Sequence, residues 1–386
     1  MKPVVYLDSN ATTRVAPEVI RAMQPFFEAY WGNPSSMHSF GGQVKKHIDQ
    51  AREQVAALIG AHPDEIIFTS CGSESNSMAL RGTIEALGGR SHIITSNVEH
   101  PAIRSLCHYL AKTGNPLTEL TVDPKGRLHP DQLREALRND TGIISLMWAN
   151  NETGVLFPIE EMAQTARAAG KLFHTDAVQI IGKQPINVDR VPIDMLSASG
   201  HKLHAPKGIG FLYKRRGTKI NPFIIGGHQE SGQRAGTENV PYIVGLGKAC
   251  ELALQHMHDE QTRVAELRDR LEAGILQRCP DTQINGDTQN RLPNTTNIGF
   301  KFIEGESILL LLDEFGIAAS SGSACTSGSP EPSHVLQALH VDPMSIHGSI
   351  RFSLSRYSTA DHIDFTLDKL PGIVARLREL SPFVEK

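Results

Sequence analysis

The sequence predicts an α/β protein, a mostly parallel sheet of about seven strands followed by a smaller α+β unit. Three observations carry this. From Glu65 to Tyr213 short apolar runs alternate mostly with helical patterns, polar groups cluster just after the ends of those runs, and past Thr282 the alternation gives way to short strands among helices. The 386 residues, 40% hydrophobic and 21% charged, describe a soluble globular chain with room for about two to three domains. A formal net charge of −4 leaves no basic field to attract nucleic acid or anionic lipid.

Taken in order, Pro17 opens a helical pattern with Val19, Ile20, Met23, Phe26 and Phe27 on one side, and Val44, Ile48, Ala51, Val55 and Leu58 mark a second helix that Gly60 ends. The strand candidates are Glu65 to Thr69, His92 to Ser96, Leu117 to Val122, Gly142 to Trp148, Lys171 to Asp176, Ile193 to Ser197 and Ile209 to Tyr213. A glycine-rich polar segment, GGHQESGQRAGTEN, then leads into helical patterns from Pro241 to Arg278. Strands near Asn297 to Phe300 and Ser349 to Leu354, a helix around Glu304 to Glu314 and a last helix from Thr359 complete the chain. Residues 15–258 are expected to form the large domain, and residues 1–14 and 259–386 the small one.

No apolar run is long enough for a signal peptide or a membrane span, so a cytoplasmic protein is expected. The cysteines (Cys71, Cys107, Cys250, Cys279 and Cys325) are odd in number and form no CxxC pair, which argues for reduced thiols. Cys71 and Cys107 read as small buried fillers. No metal-ligand spacing occurs, and no resident metal is expected.

In sheets of this kind ligands sit beyond the carboxyl ends of the strands. Asp176 closes one such strand and Lys202 follows another, in Ser197-Ala-Ser-Gly-His-Lys202. An acid and a lysine so placed suit pyridoxal phosphate, the lysine as the carbonyl-binding amine and the carboxylate as partner of the pyridine nitrogen. The alternative is an ordinary buried ion pair. Gly72 and Ser73 stand at a helix start, where backbone N–H groups and a hydroxyl suit a phosphate, or where Ser simply caps and Glu74 complements the dipole. His100 ends another strand, either facing a cofactor ring or filling a turn; Asn150 and Asn151 either meet a ligand or organise their own turn.

Two features lie outside this sheet. Cys325 is centred in Ser320-Ser-Gly-Ser-Ala-Cys-Thr-Ser-Gly-Ser329, whose small residues predict an exposed thiol on a mobile loop of about residues 320–332. Arg351 alternates with Ile350 and Phe352, so it stands on a strand's polar face, either gripping a carboxylate or solvated.

Taken together, these residues resemble the cysteine desulfurases that depend on pyridoxal phosphate, of the class-V aminotransferase family, and most closely their nitrogen-fixation (NifS-like) branch. The similarity runs through Tyr6-Leu-Asp-Ser-Asn-Ala-Thr-Thr13, Gly32-Asn-Pro-Ser-Ser36, Glu99-His-Pro101, His174-Thr-Asp-Ala-Val-Gln179, Ser199-Gly-His-Lys202, Arg234-Ala-Gly-Thr-Glu-Asn239, Ser321-Gly-Ser-Ala-Cys325 and Arg351-Phe-Ser353. The resemblance implies a type I pyridoxal-phosphate fold, with the cofactor held in the large domain. It also implies that Lys202 carries the cofactor, Asp176 pairs with the pyridine nitrogen, Gln179 meets the ring hydroxyl and His100 stacks on the ring. Gly72, Ser73, Ser199 and His201 are implied for the phosphate, with Thr237 supplied by the other subunit of a homodimer. Asn10, Asn151 and Arg351 fall to the substrate, with Asn151 also beside the cofactor, and Cys325 receives the sulfur.

The implied reaction takes L-cysteine to L-alanine and passes sulfur, as a Cys325 persulfide, to an iron–sulfur scaffold protein, nitrogenase clusters among the uses. Cys325 would meet a cluster only during that transfer. A selenocysteine or cysteine-sulfinate lyase is the alternative on the same fold. Ser9, Ser73 and Ser231 depart from the family pattern, which commonly has Asn, Thr and a basic residue there.

Overall fold

A computed structural model describes residues 4–321 and 332–382. Its strands are β1 (Val5–Tyr6), β2 (Ile66–Thr69), β3 (His92–Ser96), β4 (Leu117–Leu120), β5 (Thr141–Ser145), β6 (Leu172–Asp176), β7 (Met195–Ser199), β8 (Gly210–Lys214), β9 (Thr282–Ile284), β10 (Thr295–Phe300), β11 (Ile317–Ala318), β12 (Ser320–Ser321) and β13 (Ser349–Ser353). Seven of them form one sheet in the order β2-β8-β7-β6-β5-β3-β4. β8 runs antiparallel to both of its neighbours and the remaining pairs are parallel. The sequence places each of these strands within a few residues, and the sheet is mostly parallel as expected. β4 and β5 leave β3 on opposite sides, which opens a crevice at the strands' carboxyl ends.

Burial follows from this topology. The central strands β3, β6 and β7 are covered on both faces by helices, so apolar side chains point both ways. Ile144, Phe173, Leu196 and Phe211 belong to one apolar core with Val44, Val55 and Leu246 from the helices Ser39–Ile59 and Val240–Asp259. The polar His174 is accommodated because Ser145 and Ser197 bond its two ring nitrogens at 2.9 Å each, one from either neighbouring strand. Gly60 ends the helix Ser39–Ile59 in the left-handed region, φ 67°. The first helical pattern is narrower than its sequence suggests. The chain forms two short helices, Pro17–Met23 and Pro25–Glu28, that bury Val19, Met23 and Phe26 but leave Ile20 and Phe27 more than half exposed. Val19, Met23 and Phe26 fall at i, i+4 and i+7 on one buried face, and Ile20 and Phe27, each one residue on, lie outside it.

A second sheet, antiparallel in the order β12-β13-β10-β9, packs under helices Ala265–Arg278, Gly305–Glu314 and Ala360–Leu380. Leu271, Ile298, Phe300, Ile308, Phe352 and Leu367 form its core, and Val5 and Leu7 of the N-terminal segment join it. β1 pairs in parallel with β11. Helix Val240–Asp259 runs through a π turn, Glu260–Val264, into helix Ala265–Arg278, so one helical path connects the two cores. Among the described residues no helix is long and apolar enough to cross a membrane.

Glu272 and Arg291 fasten the second unit from inside. The guanidinium gives two bonds, 2.6 and 2.8 Å, to a carboxylate that also accepts from Thr296, and both side chains are buried. Removing one partner leaves an uncompensated buried charge, whereas removing both does not. Arg291→Met is expected to lower stability by about 3–5 kcal/mol and Arg291→Met/Glu272→Leu by much less, as read from urea unfolding midpoints.

Candidate active site

A cavity of about 370 Å³ opens at the carboxyl ends of the large sheet. Among its walls are Gly72, Ser73, His100, Asn151, Asp176, Gln179, Ser199, His201 and Lys202, with Asn10 and Arg351 from the N-terminal segment and β13. Every sequence-predicted site residue among those described is thus brought together, except Thr237. Thr237 is exposed and does not line the cavity of its own chain. Cys325 lies outside the described residues.

The floor is built around Asp176, the last residue of β6. Its Oδ1 accepts from the Val178 amide at 2.9 Å and its Oδ2 from Asn76 Nδ2 at 2.8 Å. Asn76, one helical turn past Ser73 on the same helix, was not singled out as a site residue in the sequence; the Ser73/Asn76 spacing of three was the available signal. Lys202 ends the 3-10 turn Gly200–Lys202 after β7. Its ammonium donates to the Asn10 carbonyl and, at 2.8 Å, to that of Ala11. Asp176 and Lys202 are therefore not a closed ion pair: each has its own polar partners, and both face the same cavity.

The phosphate-type turn is set by close packing. Helix Gly72–Ala86 begins after Cys71, which has no side-chain cap, so the Ser-cap alternative is not realised. A Cβ on Gly72 would come within 2.8 Å of Val178, and one on Gly210 within 2.9 Å of the Cys71 backbone. Both glycines let the turn sit against the sheet. Cys71 is half-buried on the cavity wall rather than a core filler, because the turn lifts it out of the sheet; Cys107 is buried as expected. Glu74 does more than complement the helix dipole: it accepts from the Ser70 amide at 2.7 Å and pairs with Arg234 at 2.8 Å.

His100 fills its turn and also reaches the cavity. It caps helix Pro101–Lys112, Nδ1 accepting from the Ala102 amide at 3.1 Å, and its ring lines the cavity. That bond assigns the ring proton to Nε2. Burial lowers its pKa, opposed by Asp176 and reinforced by Lys202, so the ring is neutral. His201 is held down to about 4 by burial and then by Lys202. Asn150 organises its turn, Oδ1 accepting from the Glu152 and Thr153 amides, while Asn151 is the member that reaches the cavity. Arg351 is not solvated. Its side chain is 4% exposed, ion-paired with Asp8 at 2.9 Å and bonded to the Asn151 carbonyl at 3.0 Å.

The residues fit pyridoxal phosphate on features of the cavity itself. A buried carboxylate, Asp176, stands on the floor, and the Gln179 Oε1 and Asn76 Oδ1 atoms are buried there without protein partners. Such atoms call for polar groups on whatever fills the space. A glycine-led helix N-terminus and the Ser73 and Ser199 hydroxyls supply the anion-binding side.

This fold and site define a class. Residues 5–365 match the model of the family described as aminotransferase class-V, and the chain belongs to that family. Among its relatives, the cysteine desulfurase NifS of Azotobacter vinelandii is 57% identical over 380 residues, 98% of this chain and 94% of that protein. Of the solved structures, a NifS-like protein superposes with a TM-score of 0.92 at 36% identity, over 97% of this chain and 100% of the other. SspA in complex with cysteine gives 0.81 at 36% identity, over 92% and 99%.

Beside His100, Glu99 is wholly buried. It accepts from Ser96 at 2.6 Å and the Met147 amide at 3.0 Å, and burial pushes its pKa up to about 8. A carboxyl raised in the folded state holds its proton there while the unfolded chain releases it. Stability therefore falls as pH rises from the ordinary carboxylate range to about 8. Glu99→Gln is expected to abolish that slope: melting temperatures of the two proteins diverge between pH 5 and pH 8, the variant gaining.

Proposed function

We propose that the chain is a cysteine desulfurase dependent on pyridoxal phosphate, converting L-cysteine to L-alanine and leaving the sulfur on Cys325 as a persulfide for iron–sulfur cluster assembly. The observation that carries this is the convergence of Lys202, Asp176, His100 and the buried Arg351 on one cavity. The cofactor, when bound, supplies a carbonyl for amines and a conjugated ring that draws electron density from the substrate α-carbon.

The chain's residues do the rest. Lys202 Nζ anchors the cofactor and then takes the α-proton. Asp176, oriented by Asn76 and the Val178 amide, holds a proton on the ring nitrogen. Gln179, Gly72, Ser73, Ser199 and His201 fix the ring hydroxyl and phosphate. Arg351, with Asn10 and Asn151 beside it, receives the substrate carboxylate, and its Asp8 partner keeps the guanidinium fork oriented. His100 would stand beside the ring, with its proton at Nε2. Cys325 attacks the substrate sulfur as a thiolate: an S–S bond forms, the substrate C–S bond breaks, and protonation of the carbon left behind yields alanine.

The protein works as a homodimer in this reading, with Thr237 of each chain completing the other's phosphate site. Two features support it. The segment before Thr237 is pinned by Arg52–Glu230 at 2.7 Å and Arg234–Glu74 at 2.8 Å, although Glu230 and Ser231 sit at φ 47° and 57°. The apolar Phe27, Trp31 and Met37 are exposed, as a surface awaiting a second copy would be. In this reading residues 15–258 are assigned to a large domain and residues 1–14 with 259–386 to a small one; the second apolar core, of Val5, Leu7 and residues between Val264 and Val374, supports the division, while Leu292, Val335 and Leu339 pack in the first core.

Alanine and persulfide formation from L-cysteine by the purified protein tests the reading. Lys202→Ala is expected to lose the visible cofactor band and all turnover. Cys325→Ala is expected to keep the band and lose alanine formation from cysteine; full turnover in that variant, or turnover of selenocysteine or cysteine sulfinate alone, would refute it.

A further inference from the structure

Lys202 lines a second cavity besides the large one. It is small, about 20 Å³, and it is also lined by Ser9, Lys183, His204, Glu260 and Arg356. That exceeds the ~10–15 Å³ that one water needs. Its walls are polar to a degree that a dry void would not tolerate. Ser9 Oγ and Glu260 Oε2 are buried there without a protein partner, and Ser9 is 1% and Glu260 6% exposed. Lys183 is equally enclosed; its ammonium gives one bond, 2.7 Å, to the Gln179 carbonyl, while an ammonium carries three donors. A water in this space meets two orphaned oxygens and a cation, which is the set of partners a buried water requires.

The charges are arranged with a sign. Lys183 closes the turn after β6 that carries Asp176 and Gln179, and Glu260 opens the π turn. Lys202 lines the same cavity. A second cation beside a lysine amine disfavours its protonated form, and an amine must be unprotonated to attack a carbonyl or accept a proton. Glu260 allows that second cation to be buried at all. We infer that Lys183, with Glu260 as its counter-ion, is a positioning residue that holds the Lys202 nitrogen toward its unprotonated form across a water-holding cavity.

The inference rests on the reading of Lys202 as the cofactor-bearing lysine. Other ionisable groups stand near the pair: burial raises the pKa of Glu260, opposed by Lys183, and Asp176 and His201 share the larger cavity with Lys202. His204 is kept neutral, at about 3, by burial first and then by Arg356. Arg356 gives its backbone amide to Glu260 Oε1 at 3.1 Å, while its guanidinium lies over Tyr357. Arg14, also near His204, adds positive potential and Asp259 stands beside Glu260. Burial lowers Lys183 to about 8, opposed by Glu260. Its charge, and the repulsion on Lys202, are complete below that pH and fade above it.

The test is a pH titration of the visible absorption band of the holoenzyme, which reports protonation of the nitrogen that Lys202 shares with the cofactor. Lys183→Met is expected to raise the midpoint by roughly 1 pH unit. Lys183→Gln, which loses the charge but keeps a donor for the Gln179 carbonyl, is expected to raise it likewise and serves if the Met variant fails to fold. A cofactor-loaded variant with the wild-type midpoint would show that Lys183 only fills space, and would overturn the inference alone. If the wild-type protein shows no visible band, the reading of Lys202 fails first and takes the inference with it.

Discussion

The residues from Leu7 to Thr13 are the hinge on which the molecule depends, although they contribute almost no regular structure. Their backbone is claimed from three directions. Ser9 N and Asn10 N bond Ser353 of β13, Thr13 N bonds the His201 carbonyl, and the Asn10 carbonyl accepts from both Lys202 and Gln179. Asn10 Nδ2 adds bonds to the Asn151 carbonyl and Thr295. One short segment therefore ties the large sheet's carboxyl ends to the small antiparallel sheet. The lysine that does the chemistry in the proposed function is itself one of those ties. Whatever displaces Lys202 from the Asn10 and Ala11 carbonyls also loosens the seam between the two cores.

The charges of Asp176 and Lys202 are met in the cavity by fixed dipoles rather than by each other. Asp176 is held by an amide and a carboxamide, Lys202 by carbonyls, and the imidazoles of His100 and His201 are neutral because burial penalises their cationic forms. Had Asp176 and Lys202 closed on one another, both would be spent. Kept apart, the carboxylate can serve one end of a ring and the amine the other. Arg351 and Asp8 do form a direct pair, and there the guanidinium has donors to spare.

The strands and their chemistry-bearing ends were legible because both are local: an apolar run followed by Gly72-Ser73, by His100 or by Asp176 is a pattern within a few residues. The family resemblance named the rest of the cavity wall. What escaped were partners far apart in sequence. Asn76 on Asp176 is separated by 100 residues and Asp8 on Arg351 by 343, and neither pairing leaves a periodic trace. The exposure of Ile20 and Phe27 escaped for a different reason: periodicity shows that a face is apolar, not what covers it. Arg351 illustrates the limit in the other direction. Alternation put it on a polar face, and only packing decided that this face is interior.

The segment that carries Cys325 begins and ends on the walls of the site. Ser320 of β12 lies opposite Arg351 in the register of β13, and Ser321 opposite Ile350. At the other end Ser333 donates to Glu152, next to Asn151, and His334 bonds the Glu99 carbonyl, next to His100. Burial raises Glu152 to about 7, opposed by that Ser333 bond, so the anchor has a cost that the hydroxyl partly offsets. Four residue steps separate Cys325 from Ser321, and an extended chain advances at most ~3.6 Å per step, so the two Cα atoms cannot be more than about 14 Å apart. In a desulfurase this tether confines both halves of the sulfur's journey. In the proposed reaction the thiol would have to meet both the substrate and a sulfur acceptor within that tether. In that reading the reach of the thiol would depend on where β12 ends, beside Arg351 of β13, as well as on the length of the cysteine-bearing segment.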